Sequence, residues 1–461
     1  SVLQQTNQDE IHPDDATWIL TSAFIIFTMQ SGFGLLESGM VVRRNETNVM
    51  VKNVVDVIYG GLAYWLFGFA FSFGQTYSDS SFCGLGNFLA DADEDNMSMF
   101  AKYFFQLSFA TTATTIVSGA MAERVNLKAY IVYSFVSTLS YCFPAHWVWA
   151  KTGWLAKMGA IDIAGCGPVH LVGGVSGLVG TMMLKPRTGI FQSEQFHISS
   201  PTNVLLGTFM LWWGWLGFNC GSTFGISGHK WKLASRAAVA TINSSIGGGI
   251  FSTVYSYVVF KNQLLVDVFV TGILGGLVSI TAICAVVRPW ESLVIGFIGG
   301  AIACLGLSLM RKLKIDDPVG CIPIHGLAGI WGLIAVALFA EADNLEKFST
   351  EYGVLKGGRW KLLGVQLLMT VVILLWAGVT NFIMLYAIDK TIGLRMPLCV
   401  EMEGADKWEH GILPESERPR RRDFVETSKS TMTIEGCSSD EGKATSLETR
   451  HESTFTPTKT V

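Results

Sequence analysis

Three observations in the sequence predict an all-α polytopic membrane protein of eleven transmembrane helices: an apolar composition, a succession of membrane-length apolar segments, and one pattern written twice. The chain has 461 residues and a mean hydropathy of +0.40, with half its residues hydrophobic and 15 % charged. That balance is too apolar and too poor in charge for an ordinary soluble protein. Stretches of about 20 apolar residues, enough to span a hydrocarbon core, recur eleven times between residues 16 and 390. The doubled pattern is Asp162, Pro168, His170, Gly174, Gly177, Leu178 and Asp317, Pro323, His325, Gly329, Gly332, Leu333. All offsets agree, and the copies lie 155 residues apart.

A net charge of −4 and no basic patch outside the tail give no reason to expect a nucleic-acid partner. Nine cysteines make an odd count without a framework spacing. Cys142, Cys220, Cys284 and Cys304 fall in apolar runs, where a thiol behaves as a small hydrophobe. The sequence therefore predicts no required disulfide, no metal site and no cofactor.

In chain order the apolar segments centre near residues 28, 64, 112, 139, 175, 214, 248, 276, 301, 331 and 375. No basic region with a short apolar core and cleavage site precedes the first, so it is expected to act as its own insertion signal. The first fourteen residues carry Asp and Glu but no Lys or Arg, and Arg43, Arg44 and Lys52 follow the first helix. The positive-inside bias then places the N-terminus outside. Later loops discriminate less, since Lys230, Lys232, Lys356, Arg359 and Lys361 would lie outside. The acidic loop 76–98 precedes the third helix and holds Asn96, the one glycosylation sequon that this topology exposes outside. Phe105 and Phe109 share a face in the outer half of the third helix, and Trp149 ends the fourth. The fifth helix carries the first copy of the pattern, and Phe218 and Ser222 lie near the outer end of the sixth. The tenth carries the second copy. After the eleventh the apolar runs stop, Arg418, Arg420, Arg421 and Arg422 cluster, and Ser, Thr, Glu and Lys dominate residues 427–461, the composition of a disordered segment. The resulting division is an extracellular N-terminus (1–15), an eleven-helix domain (16–390), a proximal cytosolic tail (391–411) and a disordered cytosolic tail (412–461).

With the N-terminus outside, the fifth helix enters from the outer face and the tenth from the inner. The first ten helices then form an inverted five-plus-five repeat, a common transporter plan with a midplane site, and the eleventh stands apart. If Asp162 and Asp317 mark helix starts, each histidine lies eight residues in, or about 12 Å at 1.5 Å per residue. Two such depths from opposite faces cover about 24 Å of a core about 30 Å thick, so the imidazoles should meet near the middle. The aspartates suit helix N-termini, and the glycines allow close helix approach. An ionisable side chain inside a membrane is read as functional by default, and two related by symmetry reinforce that reading. His146 and the loop histidines lack this support and take a packing role.

The same topology gathers Phe105, Phe109, Trp149, Phe218 and Ser222 at the outer mouth. Aromatic faces attract cations and a serine oxygen adds an acceptor, although any one of them could equally belong to an interfacial aromatic belt.

These residues resemble the Amt/Rh ammonium transporter family, and within it the Amt branch. Gly214-Trp215-Leu216-Gly217-Phe218-Asn219-Cys220-Gly221-Ser222 is similar to that family's sixth-helix signature, Asp162 through Gly177 to its fifth, and Asp316-Asp317-Pro318 through Gly326 to its tenth. Asn48 through Asn53 and Gly119 through Arg124 also match, and the resemblance covers roughly residues 16–411. It implies that Phe105, Phe109, Trp149 and Ser222 recruit ammonium outside. It also implies that Phe109 and Phe218 form a stacked gate, that His170 and His325 line the pore, and that Asp162 supports the site. Trp149 and Ser222 favour Amt over Rh. Between Trp149 and Asp162 the chain is slightly longer than in some members, which leaves Trp154 as the alternative recruitment tryptophan. Glu403 through Gly411 resembles the family's regulatory tail element, but Trp408 stands where plant members carry a phosphorylatable threonine. The resemblance further implies a homotrimer with one pore per subunit in the lipid bilayer of the plasma membrane, and a transporter rather than an enzyme.

A bare monovalent ion in a dry pore faces a cost of order tens of kcal/mol before relaxation. Removing a proton from an ammonium of pKa about 10.4 at pH 7 costs roughly 5 kcal/mol. The expected route is therefore capture of NH4+, proton loss and passage of NH3 along the histidines, with net electrogenic transport on the Amt resemblance and methylammonium as an analogue. The alternatives are an Rh-like channel for neutral NH3 or CO2, and an ammonium sensor that transports little.

Overall fold

The computed structural model describes residues 11–74, 80–93, 97–192 and 198–413. In chain order its long helices are α1 (Pro13–Met40), α2 (Arg43–Phe73), α3 (Ser98–Met121), α4 (Leu127–Trp149), α5 (Cys166–Leu184), α6 (Pro201–Gly221), α7 (Lys230–Val259), α8 (Val266–Ile280), α9 (Pro289–Lys312), α10 (Ile322–Phe339) and α11 (Trp360–Thr391). Seven of them are long and apolar enough by themselves to cross a membrane. The other four, α3, α4, α6 and α8, complete the eleven that the apolar segments predict, and the chain is a multi-pass, all-helical membrane protein. Among the described residues the only β pairing is an isolated bridge between Val125 and Arg395.

Local chemistry sets the helix starts. Pro13 opens α1 behind His12, whose ring nitrogen accepts from the Asp14 N–H, and Asp14 and Asp15 sit in the first turn. Ser200 caps α6 ahead of Pro201, and Asn126 caps α4. The threonines that dilute the hydropathy of α3 are buried against neighbours rather than exposed to lipid: Gln30 donates to Thr111 at 3.1 Å, and Thr115 donates back to Gln30 at 2.8 Å.

The two halves meet along α1 and α6, which pack on each other, and again where α5 crosses α10. A Cβ on Gly174 would lie 2.3 Å from the Gly326 nitrogen, so that crossing requires glycine. The same device joins α7 to α9, where a Cβ on Gly296 would lie 1.9 Å from the Ser244 carbonyl oxygen. Large apolar side chains point outward from the bundle, among them Val258, Phe209, Leu375 and Ile383.

At one end of the bundle, where α1, α3, α5, α9 and α11 finish, charges interlock. Arg187 meets Glu123 at 2.5 Å and Asp316 at 2.8 Å, and Arg124 donates to the Asp316 carbonyl at 2.7 Å. The proximal tail folds onto this end as two short helices, Leu398–Glu403 and Ala405–His410. Asp406 accepts from the Thr47 and Asn48 N–H groups, capping the start of α2, and Glu409 accepts from the Leu127 N–H at 2.9 Å. At the opposite end cations are matched by carboxylates: Lys230 with Asp15, and Lys356 with Glu291 and Glu341.

Among the described residues seven cysteines are free thiols. Asn96 and the tail beyond residue 413 lie outside the described residues.

Candidate functional site

The first half of α3, the C-terminal ends of α4 and α6 and the segment before α5 enclose a vestibule of about 750 Å3 whose walls include Phe105, Phe109, Trp149, Asp162 and Ser222. Each is held by its own backbone context. Trp149, the last residue of α4, donates its indole N–H to the Asp162 carbonyl at 2.7 Å. Ser222 donates its hydroxyl to the Phe218 carbonyl at 2.8 Å, which leaves the oxygen lone pairs for another donor. Trp154 is absent from the vestibule wall and packs against Trp147 instead, so Trp149 is the tryptophan that faces the space. Gln106, which accepts from Tyr141 at 2.8 Å, is a further polar wall residue.

Phe109 and Phe218 stack at 4.0 Å between ring centroids and 6° between planes, closing the inner side of the vestibule. Beyond them His170 stacks on Trp215 at 5.0 Å and meets Phe218 at 5.5 Å with the rings tilted by 33°. The Nδ1 atoms of His170 and His325 are 3.1 Å apart, and the rings are 0 % and 4 % exposed. The doubled pattern thus brings its two histidines into hydrogen-bond contact, as the depth argument requires. His170 Nε2 is buried without a hydrogen-bond partner. His146 stands apart from the pair, its ring nitrogens 2.9 and 3.0 Å from the carbonyl oxygens of Ser72 and Ser80.

The local fold behind the pair is the same in both copies. Asp162 accepts from the N–H groups of Gly165, Cys166 and Gly167, and Asp317 from those of Gly320 and Ile322. Each carboxylate caps the start of its helix, and each helix begins with a π-helical turn, Cys166–Leu171 and Ile322–Leu327, that contains the histidine. Such turns cluster at functional sites. On the far side of the pair His325 faces a cavity of about 10 Å3, at the lower limit for one water. Phe33 and Ile324 line it, and so does Glu37.

Glu37, Lys52 and Asp56 form a buried ionisable group beside this cavity; sequence reading uses Lys52 only for topology and as part of a motif, and gives Glu37 and Asp56 no role. Asp56 falls within a membrane-length run, which is a signal that could have found it, whereas Glu37 and Lys52 flank the Arg43–Arg44 turn. Trp215 was likewise read as signature rather than as the partner of His170. Among the described residues no group of three or more metal-ligating side chains converges.

The chain matches the sequence profile of the Ammonium Transporter Family over residues 17–413. It is 50 % identical over 418 residues to putative ammonium transporter 3 of Caenorhabditis elegans, covering 88 % of this chain and 61 % of that protein. It is 37 % identical over 421 residues to ammonium transporter Amt2 of Archaeoglobus fulgidus, covering 87 % of this chain and 88 % of that protein. Among solved structures, a sensor Amt protein superposes with a TM-score of 0.78 at 30 % identity, covering 89 % of this chain and 100 % of that one. Saccharomyces cerevisiae Mep2 superposes with 0.77 at 26 % identity, covering 84 % and 88 %.

Proposed function

Because the chain belongs to the ammonium transporter family, we propose that it carries ammonium across the plasma membrane through one pore per chain, taking NH4+ in the vestibule and passing NH3 along His170 and His325. The observation that carries this reading is the buried histidine pair with an unpartnered Nε2. In their neutral forms the two Nδ1 atoms share one proton, so one ring donates there and keeps an accepting Nε2, while the other accepts there and keeps an Nε2–H. The pair therefore always offers a passing ammonia one acceptor and one donor. It offers neither charge nor a coordination shell to an alkali cation.

In the vestibule the faces of Phe105 and Trp149 supply cation–π attraction, and the Ser222 oxygen accepts one ammonium N–H. The stacked phenylalanines exclude a hydrated ion, so the ammonium is stripped of water and gives its proton to the histidine pair behind them before its nitrogen goes on as NH3. Asp162 holds the vestibule floor through its three backbone donors and remains a positioning group. Residues 16–390 carry transport. The outward apolar side chains serve lipid and neighbouring copies in a homotrimer. The charged end with the docked tail faces the cytosol, and residues 391–411 serve control.

Voltage clamp of cells expressing the chain, paired with labelled methylammonium uptake at two external pH values, tests the reading. Saturable inward current and uptake are expected. Uptake without current identifies a neutral-gas channel, and the absence of both at normal surface abundance overturns transport.

A further inference from the structure

Inward of His325 the pore wall is apolar apart from the Cys321 thiol and one carboxyl. Glu37 sits in the last turn of α1, 1 % exposed, and shares the 10 Å3 cavity with His325. Its Oε2 accepts from Asn53 Nδ2 at 3.0 Å and from Ser118 Oγ at 2.9 Å. Two donors leave part of a carboxylate's four-site accepting capacity open. Its charged neighbours are Lys52 and Asp56 of α2. Asp56 is itself engaged by Tyr130 at 2.9 Å and Thr115 at 3.0 Å.

A second observation comes from α2. Lys52 Nζ, Asn53 Oδ1 and Asn48 Oδ1 are all buried without a hydrogen-bond partner, and Lys52 is 0 % exposed. Unpaired buried polar atoms are rare and mark places where water is held. Lys52 and Asn53 are adjacent beside Glu37, and Asn48 lies one turn away toward the end that carries the tail. There Asn48 Nδ2 meets Glu409 and lies 3.1 Å from His410 Nε2. Polar atoms thus run from Glu37, which shares the cavity with His325, to the Asn48 contact with the tail.

We infer that Glu37 is a proton-accepting residue that takes the ammonium-derived proton from His325 and passes it along the Lys52–Asn48 track, while the ammonia leaves by the apolar mouth. This rests on the ammonium-transport reading above. The histidine pair, protonated by ammonium on the outer side, presents an N–H at His325. That N–H bond breaks as one water in the cavity relays the proton, and an O–H bond forms on Glu37. The carboxyl then gives the proton to water held by the orphaned atoms and returns to its anion, steadied by Asn53, Ser118 and the Lys52 ammonium. Charge and nitrogen cross together in stoichiometry but part company at the inner end.

The test is the ratio of ammonium-evoked current to labelled methylammonium uptake, measured on the full chain at matched surface abundance. Glu37→Gln keeps shape and an acceptor for Asn53 and Ser118 but cannot take the proton. It should lower the ratio by about tenfold or more, on the modest side of what a positioned acid–base group contributes, with uptake retained and with Glu37→Asp restoring current. A merely structural role would lower current and uptake together, so a ratio unchanged in Glu37→Gln overturns the proposal. If Glu37→Gln does not reach the surface, Ser118→Ala and Asn53→Ala are read by the same ratio: a fall supports the proposal, and no change in either overturns it. Wild-type uptake without current removes the proposal and leaves transport standing, whereas absence of both removes transport itself.

Discussion

The two copies of the repeated pattern share a backbone but not a neighbourhood. Asp162 and its π-helical turn border the wide aromatic vestibule, whereas Asp317 and its turn abut the charged end built from Arg124, Arg187 and Asp316. The symmetric part fixes what must be geometrically exact in effect, the 3.1 Å contact between imidazoles. The asymmetric part supplies direction. One copy opens on residues suited to collecting a cation, and the other on a small cavity with a single carboxylate.

The comparison breaks most sharply at the two aspartates. Asp162→Ala strands three backbone donors and Asp317→Ala two. At about 1–3 kcal/mol per stranded donor, both variants should lose stability, and Asp162→Ala should lose more. Thermal unfolding of the two purified proteins in one detergent measures the difference, and equal losses would show that the caps do not act through their donors.

Next come the histidines. His170→Ala and His325→Ala each leave a small void and should fold, yet each removes half of the donor–acceptor pair. Ammonium transport should fall by about tenfold or more, or lose its discrimination against K+. Near-normal current with K+ still excluded in both variants would refute the paired role.

The vestibule sharpens the contrast at smaller scale. A cation–π contact contributes roughly 0.5–2 kcal/mol, and a hydrogen bond to a charged group roughly 1.5–3. Trp149→Leu and Ser222→Ala should therefore weaken apparent ammonium affinity by a few-fold to about a hundredfold. Trp154→Leu should leave it unchanged, and the reverse outcome would reassign the tryptophan.

The smallest effect belongs to the charged end. Burial opposes ionisation of Asp316, but hydrogen bonds and charge from Arg187 outweigh it and hold the carboxyl below the usual carboxylate range. A depressed folded-state pKa adds stability above the unfolded value of about 3.9, and that stability disappears as pH falls through the folded value. Unfolding temperature should therefore drop as pH is lowered below about 4, and Asp316→Asn should flatten that drop. An unaltered acid profile in Asp316→Asn would place the acid sensitivity elsewhere.

Much of this was legible because it repeats or runs in one dimension. Eleven apolar segments follow from windows along the chain, and the His170–His325 contact follows from two equal offsets and a topology. The pairing of Phe109 with Phe218 came from the family resemblance, which implies a stacked gate. What stayed hidden depends on groups that converge only in three dimensions. Glu37, Lys52 and Asp56 come from two helices, and Glu37 stands so close to Arg43 that it reads as a loop-side charge. The tail's hold on α2 rests on Asp406 capping a helix more than 350 residues earlier in the chain, for which no local signal exists.

The parallel rings of Phe109 and Phe218 have an electrical consequence. At 4.0 Å between centroids they are in van der Waals contact, leaving no lumen at that level. A membrane crowded with this protein should gain no standing leak of Na+ or K+ while ammonium is absent, so a cell could raise its copy number freely without discharging the ion gradients on which its other transporters run.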